Sequence, residues 1–136
     1  STFQATYTAD LAERYESDGV IEPGTVVSIG GDKEITVTST ENDTEVFGVI
    51  STEPAFIMNG RAGTDETHPM VAMTGRCPCK VVGKINKGDR LVSSSTSGRA
   101  RKADLTNDSV FAIIGRALES HDSDGEGTIE IAVTRN

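Results

Sequence analysis

The chain has 136 residues, one domain's worth of sequence, with 35% apolar and 4% aromatic residues and no Trp, so its core is thin and association with a partner chain is an expected source of stability. A formal net charge of −8 argues against a nucleic-acid partner, which needs clustered Lys and Arg against phosphate. No apolar run approaches the roughly 20 residues of a membrane span, which excludes insertion by a helix.

Residues 1–9 read as an extended lead-in or linker, loosely alternating through Phe3, Ala5 and Tyr7, and residues 10–136 as one β-domain. The stretch does not open on a basic-then-apolar signal pattern, and Ser1 suggests a piece of a longer polypeptide. Asp10 to Ser17 (DLAERYES) admits a short helix, with Asp10 and Glu13 in a capping-box pattern, or an irregular turn. From Glu22 onward the signals are those of strands. Pro23-Gly24 turns into the β-branched run Thr25–Ile29, and Gly30-Gly31-Asp32 closes it. Glu34–Thr38 alternates, Glu41-Asn42-Asp43 turns, and Val46–Ser51 carries Gly48 at its middle, a bulge signal.

Ala55–Met58 is a short apolar piece, and residues 59–67 form a polar, Gly-containing loop. Pro69–Thr74 and Arg76–Val82 are two strands separated by Gly75. Lys87-Gly88-Asp89 turns into Arg90–Val92, the Ser-rich stretch 93–97 is exposed, and Ala100–Leu105 follows as a short strand. Val110–Leu118 is the longest apolar run. Residues 122–127 form a tight acidic turn, with Asp124-Gly125 supplying positive φ angles. Thr128–Val133 closes with Ile129, Ile131 and Val133 alternating against Glu130 and Ala132. Many short strands at about ten-residue spacing predict an all-β sandwich or barrel with at most one short helix.

Most of the residues that could carry chemistry read as packing and turns. A Cys79–His68 nucleophile pair is weaker than the reading of Cys79 as a small buried apolar residue. Cys77 and Cys79, two apart on a strand, point to one face and are not expected to bond to each other. Residues 122–126 look like half of a calcium loop but lack the closing bidentate Glu, and Cys77, Cys79 and His68 are one ligand short of a zinc site. No metal and no cofactor is expected. The basic cluster Arg99, Arg101 and Lys102 reads either as a phosphate or carboxylate contact or as a solvated loop.

Several stretches taken together carry a resemblance. They are Asp10 to Glu16; Glu22 to Val27; Gly48 to Thr52 with Pro54-Ala55 and Met58-Asn59; Gly75-Arg76 through Pro78-Cys79-Lys80-Val81 to Gly88-Asp89; and Ile114 to Glu119 with Ile129 to Ile131. In order and spacing they resemble the C-terminal domain of tailed-bacteriophage tail fibres and related virion proteins, over nearly the whole chain. The DLAE segment is also similar to the start of self-cleaving C-terminal chaperone domains of phage tail spikes. That resemblance makes Asp10 and Glu13 the candidate self-cleavage carboxylates, although Ala9 stands where a hydroxyl nucleophile is wanted and Thr8 and Ser17 are the nearest substitutes. The segments from Val82 to Val92, 98–100, 114–118 and 129–131 resemble, more loosely, phage head-decoration proteins.

The resemblances imply a non-enzymatic virion protein, a homotrimer bound to other virion proteins. As a tail-fibre end domain it would promote trimer assembly and present loops to a host-surface receptor; as a capsid decoration protein it would stabilise the shell. The residues expected at a receptor or partner are Asn59, Arg61, Asp65 and Glu66 in the first loop and Ser94 and Ser95 in the second.

Overall fold

The computed structural model describes residues 9–134, and apart from Ala9 the expected lead-in lies outside them. Ten strands and one 3-10 turn, Val110–Ala112, make up the regular structure among these residues.

The organising element is β6 (Met70–Val82), thirteen residues long. The two strands expected on either side of Gly75 are one strand that passes through it. Its C-terminal half has β10 (Glu126–Val133) on one edge, from Glu126↔Val82 to Val133↔Gly75. On the other edge the parallel bridge Val81↔Ala100 joins it to β8 (Ala100–Lys102). The circuit closes through β7 (Arg90–Ser93) and β9 (Gly115–Ala117), since β8 pairs β7, β7 pairs β9 and β9 pairs β10. The result is a five-stranded barrel, β6–β10–β9–β7–β8, which removes the free edges an open sheet of these strands would expose.

Alternation fills the barrel. Cys77, Cys79 and Val81 of β6 and Ile129, Ile131 and Val133 of β10 are buried and share one core with Leu91, Ala100, Ile114 and Ala117. Each Ile, Leu or Val so buried contributes about 1.5–3 kcal/mol. Pro78 has no N–H to give a ladder, yet lies inside a central strand. Its place is the stretch of β6 edge between β4 and β8, where no strand pairs. There the Lys80 N–H donates instead to the Gly24 carbonyl at 2.9 Å.

The N-terminal half of β6 leaves the barrel and organises the rest. On one edge it pairs β4 (Val46–Ile50), which pairs β2 (Val26–Ile29), which pairs β3 (Ile35–Val37). On the other edge lies β1 (Asp10–Arg14), followed by the parallel strand β5 (Phe56–Met58). Val26 faces the barrel core, whereas Val27 joins Ile21, Ile35, Ile50 and Val71 in a second cluster. The bulge signalled by Gly48 is present. Val27 pairs Gly48 and Ser28 pairs Val46, which leaves Phe47 as the extra residue. The Phe47 ring meets Tyr15 edge-on, with centroids 4.9 Å apart.

Two expectations are corrected. The segment from Asp10 is neither helix nor turn but a strand, because β5 and β6 supply backbone partners on both of its edges. Neither Asp124 nor Gly125 has positive φ; the turn is held by the Gly83 N–H donating to the Gly125 carbonyl and by Ser123 Oγ accepting from Gly125 N, each at 3.0 Å.

Candidate functional site

Gly75 is where the two halves of the molecule meet. β1 begins opposite it (Asp10↔Gly75) and β10 ends opposite it (Val133↔Gly75), so the first and last described strands lie end to end along one edge of β6. Gly75 has φ +106°, and a Cβ there would come within 2.5 Å of the Ala9 carbonyl oxygen and 2.8 Å of Asp10 Cα. Only glycine accommodates both demands.

Beside this junction a cleft of about 190 Å³ opens, lined by Asp10, Ser51, Thr52, Glu53, Arg76, Pro78 and Glu130. Asp10 starts β1, with its carbonyl accepting from Ala55 N at 2.8 Å. Ser51 follows β4 and is fixed by its own N–H donating to the Met70 carbonyl at 2.8 Å. Both residues are buried, at 5% and 4% exposure, and Asp10 Oδ2 and Ser51 Oγ are closed off from solvent. Burial raises the Asp10 carboxyl above its ordinary value, and the neighbouring Ser51 hydroxyl partly offsets this. Arg76 stands 3.8 Å from Glu130 at the rim.

The two thiols lie on the core side of β6 and are both free. Burial above all, then the charges of Asp10, Cys79 and Glu130, pushes the Cys77 thiol far up; burial alone pushes Cys79 up to about 12. Both are protonated at neutral pH and therefore poor nucleophiles. His68 precedes β6, on the order of 30 Å of extended strand from Cys79, and its Nδ1 lies 3.0 Å from Thr67 Oγ1. The structure does not bring the Cys–His pair together. Among the described residues no group of three or more His, Cys, Asp or Glu side chains is gathered for a metal ion.

Nor does it pair Asp10 with Glu13. Asp10 and Ala12 are buried on one face of β1 and Glu13 points to the opposite, half-buried face, as period two requires. Ser17 is buried, its hydroxyl donating to the Gly19 carbonyl at 2.6 Å; Thr8 lies outside the described residues.

The first predicted loop is exposed at Asn59, Arg61, Asp65 and Glu66, but it is not loose. Arg14, a residue sequence reasoning passed over, donates to Gly60 O, His68 O and Asp65 Oδ1 at 3.1, 2.8 and 2.8 Å, and Asn59 Nδ2 donates to the Arg14 carbonyl at 3.1 Å. Nothing local marks Arg14, since its partners are 45 to 54 residues away. Asp65 and Glu66 border a second cleft of about 310 Å³, with an apolar floor of Val20, Ile21, Ile50 and Met70.

The second loop is corrected. Ser93 and Ser94 are buried; the Ser94 hydroxyl donates to the Arg99 carbonyl at 2.7 Å and only Ser95 and Ser97 are exposed. The basic cluster is paired within the chain. Arg99 meets Glu126 at 2.9 Å and Lys102 meets Asp89 at 4.0 Å. Arg101 makes a two-pronged contact with Asp108, at 2.7 and 3.0 Å, and a further one with Glu41. Arg101 holds the Asp108 carboxyl below the usual range.

No family model matches the sequence, and no curated protein matches it. Solved structures do. The C-terminal fragment of gene product 12 of bacteriophage phi29 aligns over 92% of this chain and 100% of its own, with TM-score 0.65 and 16% identity. The N base of head fibre gp8.5 of the same phage aligns over 90% and 92%, with TM-score 0.51 and 14% identity. The fold is shared. At these identities the likeness concerns backbone architecture and not any individual side chain.

Proposed function

We propose that this chain is a structural domain of a tailed-bacteriophage virion, the end domain of a fibre that works as a homotrimer. It promotes trimer assembly, contacts other virion proteins and turns over no diffusing substrate. The observation that carries this reading is the end-to-end match of its fold to the C-terminal fragment of phi29 gene product 12, a likeness that leaves neither chain with a large unmatched part.

Surface chemistry supports association. Phe56 and Ile57 sit on β5, which pairs β1 on one edge, and are 64% and 40% exposed. Leu105, which follows β8 in the chain, and Phe111, in the 3-10 turn, are 67% and 73% exposed. A thin core combined with apolar residues left on the surface is what an obligate subunit shows when viewed alone. Receptor contact belongs to the loop clamped by Arg14, where Arg61 and Glu66 are exposed and the acidic rim of the larger cleft begins.

The test is the mass of the purified domain by light scattering, with Phe56→Asp and Phe111→Asp as variants. A trimer that either variant weakens supports the proposal, and a strict monomer at high micromolar concentration contradicts it.

The second reading is a capsid decoration protein, favoured by the likeness to a head-fibre base. Adding the domain to expanded, undecorated capsids separates the two, since only a decoration protein binds them. The self-cleavage that the DLAE segment suggests has one point in its favour, the buried Asp10 carboxyl, raised above its ordinary value by that burial. Expressing the domain behind a stalk segment tests it: two bands, reduced to one by Asp10→Ala, would establish cleavage.

A further inference from the structure

On the outer face of the barrel we infer that a row of arginines receives a carboxylate side chain from a second copy of this chain. The inference rests on the proposed homotrimer and names the chemistry of one of its contacts.

The row follows from strand register. Arg76 of β6 lies opposite Ala132 of β10, Ala132 opposite Arg116 of β9, and Arg116 opposite Arg90 of β7. Their neighbours along the strands, Cys77, Val133, Ala117 and Leu91, fill the barrel core, so period two turns the row outward. Adjacent strands lie about 4.8 Å apart, which sets Arg90 and Arg116 side by side and Arg76 about 10 Å from Arg116. Ala132 puts only a methyl group in that interval.

Most arginines of the chain are neutralised within it. Arg14, Arg99 and Arg101 each reach an Asp or Glu at 2.7–2.9 Å. Arg90 is exposed and makes no ion pair among the described residues. Arg116, also exposed, spends Nε and Nη2 on a neutral acceptor, the Gly88 carbonyl, at 3.0 and 2.9 Å. The carboxylates that flank the row are already engaged. Glu130 stands 3.8 Å from Arg76, and Asp89 accepts from Asn86 N at 2.8 Å with Lys102 4.0 Å away. Like charges directly opposite on a sheet repel, and an oxyanion between them turns that repulsion into attraction. A guanidinium fork matches a carboxylate in two-pronged, charge-assisted hydrogen bonds.

The chain itself indicates where that carboxylate comes from. Each copy carries 21 Asp and Glu against 13 Lys and Arg, a net charge of −8, so copies brought together repel. A cation with no carboxylate of its own is where a copy can accept one from its neighbour. Contacts in a closed ring of three are heterologous, so the arginine row of one copy meets a different, acidic surface of the next, and all three rows are filled.

The test is carbodiimide cross-linking, which joins an amine to a carboxylate only where the two touch. Arg90→Lys and Arg116→Lys supply the amine, in trimers assembled from equal parts of unlabelled and 15N-labelled protein. The expected result is a mixed-label peptide pair joining position 90 or 116 to an Asp or Glu. In sedimentation equilibrium the double variant Arg90→Glu/Arg116→Glu should raise the trimer dissociation constant by about tenfold or more. Lys84→Glu, the same change of charge beside Gly83 at the other end of β10, should shift it less than about twofold. A trimer whose cross-links from positions 90 and 116 stay within one copy, or whose dissociation constant the double variant leaves unchanged, would overturn the inference and leave the homotrimer standing. A strict monomer at every concentration would remove both.

Discussion

At the residue scale, Asp10 and Asp108 are two buried carboxyls with opposite consequences. Burial holds Asp10 above its ordinary value, so in the pH range between that value and the raised one the folded state binds more protons than the unfolded chain. Its contribution to stability therefore falls as pH rises through that range. Asp10→Asn removes the charge while keeping the shape, and is expected to raise the melting temperature at pH 7 by an amount equivalent to about 1 kcal/mol. Well below the ordinary carboxyl value, where the wild-type carboxyl is protonated in both states, the difference should shrink towards zero. A melting-temperature difference that is flat with pH would contradict the account of Asp10.

Asp108 runs the other way. Arg101 lowers it, so its contribution is complete above the ordinary carboxyl value and is lost as pH falls through the lower, folded one. Its side chain is 7% exposed, its partner's 24%, and the contact is two-pronged. Asp108→Asn should cost about 2 kcal/mol in urea unfolding at pH 7. The isolated surface pair Lys33–Glu16, at 3.8 Å and about half exposed, should cost no more than about 0.5 kcal/mol when broken.

At the element scale, β6 is the strand on which everything else is registered. Gly75→Ala would place a Cβ against the Ala9 carbonyl at a positive φ, and is expected to destabilise by roughly 3 kcal/mol. Hydrogen exchange should report the cause, with protection lost first at β1 and the end of β10 and last in the Cys79–Val81 region. Uniform loss across the barrel would argue against Gly75 as a junction.

Most strands were legible because Pro-Gly, Gly-Gly-Asp and Lys-Gly-Asp turns bound them and β-branched residues fill them; β10 shows this best, with Ile129, Ile131 and Val133 buried as their alternation requires. β1 was not legible. DLAER has helix-forming residues, and its strand state comes from partners more than 40 residues away in β5 and β6. The joining of two strands through Gly75 was hidden for the same reason, since glycine reads as a break when only neighbours are considered. The sites divide similarly. The exposed loop at 59–67 was readable from its polarity, whereas the burial of Ser94, the clamp by Arg14 and the meeting of Asp10 with Ser51 all depend on long-range pairing.

At the scale of the whole molecule, the closed barrel explains how a chain with few aromatics holds a core, and the strands outside it explain why apolar surface remains. β1–β5 and β4–β2–β3 extend from β6 as two wings, and Phe56 and Ile57 on the first are poorly covered. In the proposed trimer each subunit would gain stability from its neighbours, so the melting temperature should rise with protein concentration, whereas a self-sufficient monomer's would not. The proposed trimer is the claim on which the functional reading depends. Sedimentation equilibrium of the purified domain across the micromolar range measures it directly. The account predicts a mass three times that of the protomer, reduced by Phe56→Asp or Phe111→Asp; a single monomeric species at every concentration would contradict it.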